Sequence, residues 1–142
     1  MENEPSLLRW AVNYELRCCE RYRRFMSVVY VSHEGRERFP DAFSDVLRSS
    51  DVLVKAHSSS ALLMGETSKQ GALRAVERFK SQCGDLINMK YAVASYPTDG
   101  RTADDLLSTV RERLAAAMNR ENGVVVWSST ARQSNNATNT SI

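Results

Sequence analysis

Long apolar runs are missing from this sequence. No stretch approaches the ~20 residues that a membrane-spanning helix needs, and the opening Met1-Glu2-Asn3-Glu4 is acidic and polar, unlike a secretory leader. Cysteine is scarce: Cys18 and Cys19 are adjacent, Cys83 is remote, and no Cys-x-x-Cys occurs. An odd count at that spacing excludes a disulfide framework and a zinc ribbon and suits reduced thiols, so a cytoplasmic location is expected. The two histidines, His33 and His57, have no histidine partner at ligand spacing, so neither a metal nor another cofactor is expected. No Gly-x-Ser-x-Gly surrounds any serine, so the serines beside His57 read as turn residues and not as nucleophiles. Six glycines and three prolines exclude a collagen, and a net charge of +2 makes no demand for nucleic acid. The arginine-rich stretch from Arg17 to Arg24 reads as one solvated face.

What remains is ordinary globular composition. Hydrophobic residues are 42% and charged residues 25% of 142. A chain of this length buries roughly 70% of its unfolded surface and needs no staple. Residues 1–127 are expected to form one domain, and 128–142, rich in Ser, Thr, Asn and Gln, a disordered tail.

Periodicity predicts helices over 6–24, 68–83 and 103–119 and a short one over 41–47. In the first helix the inward stripe is expected to be Leu7, Ala11, Tyr14, Cys18 and Tyr22, widened by Leu8 and Cys19. Trp10 reads equally as core or as a partner contact. Strands are expected at 26–31, 51–55, 61–64, 89–96 and 124–127, with the second and third forming a hairpin around His57-Ser58-Ser59-Ser60. Pro97-Thr98-Asp99-Gly100 is a strong turn. The layer rules then give an α+β fold: a mixed central sheet of about five strands flanked by helices.

Four stretches, in order, resemble the GGDEF domain, the diguanylate cyclase family. They are Glu20–Arg24 with the strand Met26–Val31, Arg48–Leu53, Glu66–Phe79, and Ala94–Gly100 with Asp104–Leu107 behind it. The resemblance implies a nucleotidyl-cyclase-like sheet. It also implies that the eponymous hairpin falls at His57, Ser58, Ser59, Ser60 and Ala61, where neither the glycine pair nor an acid is present. Ser32 stands where the family has a metal-binding aspartate, the segment before Arg48 is short, and the late lysine motif is replaced around Ala117-Met118. Phosphoryl transfer rests on positioning and metal ions, so a degenerate domain that is not an enzyme is expected.

The resemblance also implies an inhibitory-type product site, Arg-x-x-Asp, five residues before the hairpin. Arg48 and Asp51 have that spacing, and Arg74 and Arg78 match the arginines that complete the site from the following helix. Arginine forks pair with phosphate or with the guanine O6/N7 edge, and a carboxylate accepts from guanine N–H groups. All four residues are expected to be exposed and to bind cyclic di-GMP. The competing reading is a surface ion pair and a solvated helix face. The expected function is a cyclic di-GMP receptor that signals through a protein partner or a homodimer. The alternatives are an interaction module that binds no nucleotide and an enzyme acting on another nucleotide.

Overall fold

The computed structural model of the protein describes residues 6–33, 47–48, 51–55, 59–83 and 89–128. Residues 34–46, with all but the last residue of the short helix expected at 41–47, His57 and Ser58, and the tail from residue 129 lie outside them.

The elements are α1 (Ser6–Tyr22), β1 (Met26–Ser32), β2 (Val52–Lys55), β3 (Ser59–Gly65), α2 (Lys69–Cys83), β4 (Lys90–Tyr96), α3 (Ala103–Ala117) and β5 (Val125–Val126). The five strands form one mixed sheet, as expected, and its order is β2-β3-β1-β4-β5. β1 is central and antiparallel to both β3 and β4, β2–β3 is the expected antiparallel pair, and β5 runs parallel to β4.

Both faces of the central strands are buried. Val28 and Tyr30 of β1, Leu63 of β3 and Ala94 of β4 turn to one core, which α1 and α3 cover. Val29, Val31, Leu62, Met64 and Val93 turn to the other, where α2 supplies Ala72, Val76 and Phe79. Covering on both sides explains why β1 reads as a continuous β-branched run and not as an alternation.

The inward face of α1 corrects the sequence expectation. Leu8, Ala11, Val12, Leu16 and Cys19 are buried, whereas Leu7, Tyr14 and Tyr22 are each more than half exposed. The helix carries two apolar stripes. The compact aliphatic one packs on the sheet, and the one with phenol hydroxyls keeps them in water. α1 ends at Arg23, which takes a left-handed φ of 56°, and the Arg24 amide then reaches back to Cys19 O at 3.1 Å.

The late turn is tied to α3. Thr102 caps that helix by accepting from the Asp105 amide at 3.0 Å, and Asp104 and Asp105 lie in its positive first turn. A Cβ on Gly100 would lie 2.6 Å from Asp105 Cβ, so this turn approaches α3 too closely for a side chain. Arg113 is buried on α3. It donates to Val93 O at 2.8 Å and to Asp99 Oδ1 at 3.1 Å. Asp99 also accepts the Ser95 amide at 2.9 Å and pairs with Lys69 at 3.1 Å. Burial alone would raise the Asp99 pKa, but the Arg113 hydrogen bond, the Ser95 amide and the nearby cations outweigh it and hold the carboxyl below its ordinary range.

Candidate functional site

Arg48 and Asp51 form a reciprocal turn just before β2. The Asp51 amide donates to Arg48 O at 3.0 Å, and the Arg48 amide donates to Asp51 Oδ2 at 2.9 Å. This turn aims the Arg48 guanidinium at the far end of the hairpin. Its Nη2 donates to Gly65 O at 2.8 Å and to Thr67 Oγ1 at 2.5 Å, with Asp51 Oδ1 at 3.4 Å. Thr67 is itself fixed: its amide donates to Phe25 O at 3.2 Å, and its carbonyl accepts from the buried Ser27 hydroxyl at 2.9 Å.

Ser68 follows and caps α2, its hydroxyl accepting from the Gly71 amide at 3.2 Å. The cap sets the phase of α2, so that Ala72, Ala75, Val76 and Phe79 face the sheet while Arg74 and Arg78 stay exposed on one side, four residues apart. An open cleft of about 310 Å³ results, lined by Arg48, Glu66, Thr67, Ser68, Arg74 and Arg78, with Met64, Gly71 and Ala75 as its floor. Glu66 is the single acid among the described residues of its lining, and Arg24 holds that carboxylate at 2.7 Å.

The structure therefore brings Arg48, Arg74 and Arg78 to one cleft. Asp51 is different. Its side chain is 1% exposed and does not line the cleft, which corrects the expectation that all four residues are exposed. The carboxylate turns inward because the Arg48 amide and guanidinium both claim it. The sequence reading missed Thr67 and Ser68 as the residues that hold Arg48 and start α2. A hydroxyl pair directly ahead of a helix was the available signal.

At the opposite end of β1 and β3 lies the segment matching the signature hairpin. Ser59 and Ser60, expected in a turn, are buried strand residues that extend β3 ahead of Ala61, where the strand was expected to begin. Ser32 pairs with Ser59, and His33 Nε2 lies 2.9 Å from Ser60 Oγ, which satisfies the serine hydroxyl inside the sheet. Small side chains with a local hydrogen-bond partner can extend a strand where turn chemistry alone suggests a break. The family implies magnesium here. Ser32, His33, Ser59 and Ser60 offer no carboxylate, so these described residues do not fit that ion. Among the described residues, no three His, Cys, Asp or Glu side chains cluster as a metal site.

Comparison with known proteins places this geometry in a class. No family model matches the sequence, and no curated protein matches it. Solved structures do. The GGDEF domain of YfiN (TpbB) from Pseudomonas aeruginosa superposes with a TM-score of 0.79 at 15% identity, over 88% of this chain and 95% of that one. The active GGEEF domain of a diguanylate cyclase from Vibrio cholerae gives 0.74 at 12% identity, over 94% of this chain and 100% of that one. The diguanylate cyclase SiaD from P. aeruginosa, solved with its activator SiaC, gives 0.73 at 15% identity, over 86% of this chain and 57% of that one. The protein has the GGDEF-domain fold.

These comparisons overturn the expectation that the chain is not an enzyme, because an active GGEEF domain carries the same fold over nearly all of it. That expectation counted missing side chains along a register. Two of those positions, His57 and Ser58, lie outside the described residues. No helix among the described residues is long and apolar enough to cross a membrane.

Proposed function

We propose that the protein is a signalling domain of the diguanylate-cyclase type that binds cyclic di-GMP in the arginine cleft and relays occupancy through a protein contact. One observation carries this reading: Arg48, Arg74 and Arg78 converge on a single cleft whose only acid among the described residues is already paired. Arg74 and Arg78 make no hydrogen bond or ion pair among the described residues, so their forks are available to an anion. Cyclic di-GMP is a dianion carrying two guanines, and arginine forks match both its phosphates and the guanine O6/N7 edge. At about 310 Å³ the cleft is at the small end of ligand sites, which suits one guanine and its phosphate with the rest of the ligand outside. Asp51 acts by holding Arg48 in place. The diguanylate cyclase SiaD, which shares this fold over 57% of its chain, was solved in complex with its activator SiaC, a precedent for control of such a protein by a protein contact.

Calorimetry with cyclic di-GMP, with GTP and with buffer alone tests the reading. Saturable heat is expected with cyclic di-GMP, and Arg74→Ala with Arg78→Ala should abolish it without moving the melting temperature. Absence of binding at roughly 100 µM ligand, where a Kd worth about 5.5 kcal/mol would already show, would replace this reading with a nucleotide-independent interaction module.

A further inference from the structure

The second apolar stripe of α1 is unused by the fold and by the cleft. Leu7, Trp10 and Tyr14 are 59%, 62% and 51% exposed, and Tyr22 and Phe25 at the end of the helix are 56% and 53% exposed. Among the described residues, every exposed large apolar side chain lies on α1 or within three residues of its end. The Trp10 and Tyr14 rings stack with centroids 5.7 Å apart. Below them a groove of about 300 Å³ is lined by Tyr14, Arg17, Cys18, Arg21 and Tyr22.

Leu7, Trp10, Tyr14, Arg17 and Arg21 alternate at spacings of three and four. That is the seam of a two-helix contact, whose period is 3.5 residues. A helix that only covers a sheet needs one apolar stripe. This one has the buried stripe as well as the seam, and Trp, Tyr and Arg are the residue types that dominate interface energies.

We infer that α1 pairs with α1 of a second copy of this chain, antiparallel, about a two-fold axis near Tyr14. The polarity of the seam selects both the partner and the direction. Its first half is apolar and aromatic, its second half is cationic, and no carboxylate is among the described residues that line the groove. Parallel pairing in register would set Arg17 and Arg21 against their own copies. Antiparallel pairing sets Arg21 against Leu7 and Arg17 beside Trp10, so each cation meets an aliphatic or indole surface that its stem and guanidinium can cover. The chain already pairs cations with rings in this way: Arg24 lies 5.1 Å from the Tyr22 centroid, and Lys69 lies 5.6 Å from that of Trp127. A 17-residue helix is roughly 25 Å long, and one helix pair buries less than the ~1,200 Å² of a stable interface. The dimer is therefore a dissociable one.

Sedimentation of the full chain from about 1 to 500 µM, a range spanning micromolar to weak affinity, tests this. A reversible monomer–dimer equilibrium is expected. Trp10→Ala with Tyr14→Ala, and separately Arg17→Glu with Arg21→Glu, should each leave monomer throughout, with unchanged circular dichroism and melting. Orientation is read by crosslinking in a background carrying Cys18→Ser and Cys83→Ser. Leu7→Cys mixed with Arg21→Cys should give a disulfide-linked pair on mild oxidation, and neither variant alone should. A wild-type chain that stays monomeric at every concentration overturns the inference and leaves the face to a different partner. So does a dimer that survives Trp10→Ala with Tyr14→Ala, or Leu7→Cys crosslinking to itself. None of these readouts depends on cyclic di-GMP, so failure here is distinct from failure of the ligand site.

Discussion

The Arg24 guanidinium holds the Glu66 carboxylate at 2.7 Å, and Glu66 is the one acid among the described residues on the wall of the arginine cleft. Arg24 itself lies outside the cleft, over the Tyr22 ring at the end of α1. The pair thus neutralises the cleft from the helix that carries the exposed aromatic stripe. Arg24→Ala should weaken cyclic di-GMP binding a few-fold by freeing a carboxylate beside the ligand, and Glu66→Gln should strengthen it. Both groups are substantially exposed, so neither change should cost more than ~1 kcal/mol of stability. Titration calorimetry and thermal melting, run on both variants, check this.

Arg48 has two jobs, and its substitution should show both. Arg48→Ala removes a charge-assisted contact to the ligand, worth roughly 1.5–3 kcal/mol, or about tenfold or more in Kd. It also takes the donor from Thr67 Oγ1 and leaves Gly65 O only the Thr67 hydroxyl of its two side-chain donors, so the melting temperature should fall. Arg78→Ala should weaken binding alone, with a flatter salt dependence because one anion contact is gone. An Arg48→Ala variant with unaltered melting would show that the turn holds without it.

Asp99 makes the fold sensitive to acid. Its carboxyl titrates below the ordinary carboxylate value in the folded chain. The unfolded state therefore binds the proton first, and the stabilisation is complete above about pH 4 and lost as pH falls through the folded value. Asp99→Asn should abolish that part of the acid dependence. It should also cost about 3 kcal/mol or more at neutral pH, because Arg113, with 7% of its side chain exposed, loses its counter-charge. Urea titrations from pH 2.5 to 7 (a window bracketing carboxylate pKa values) measure both effects.

Arg23 terminates α1 in a conformation that favours glycine, with φ at 56°. Arg23→Gly should stabilise the domain by roughly 0.5–1 kcal/mol through relief of that strain, while Arg23→Val should destabilise it. Denaturant midpoints at constant slope are the measurement.

Burial, followed by the Glu15 charge, pushes the Cys19 thiol up to about 11. Little of it is thiolate at pH 8, and the side chain is sealed in the core. Alkylation by iodoacetamide should therefore leave Cys19 unmodified in native protein and modify it once urea unfolds the chain. Peptide mass mapping distinguishes it from the half-buried Cys18.

Much of this architecture was legible in the residues. β1 could be read because a central strand covered on both faces carries a β-branched apolar run, and the turn at Pro97–Gly100 because only certain backbones follow such residues. Arg74 and Arg78 could be placed on one helical face because four residues make roughly one turn. The Arg-x-x-Asp spacing paired Arg48 with Asp51 through the resemblance, while the turn that joins them came from the structure. Tertiary structure decided the rest, since each remaining choice depended on what lay across the gap. α1 has two apolar stripes of similar period, and only the shape of the sheet and α3 selects Leu8, Val12 and Leu16 over Leu7, Trp10 and Tyr14. Arg113 falls at inward helical spacing with Leu106, Val110 and Ala117, and an arginine can be buried there because Asp99 and Val93 O lie opposite it. Ser59 and Ser60 have the composition of a turn, yet extend β3 because β1 supplies their ladder and His33 their polar partner. Local propensity is a matter of tenths of a kcal/mol per residue, while burial and a satisfied ion pair are worth several times that. Where the two conflict, distant neighbours in the chain prevail.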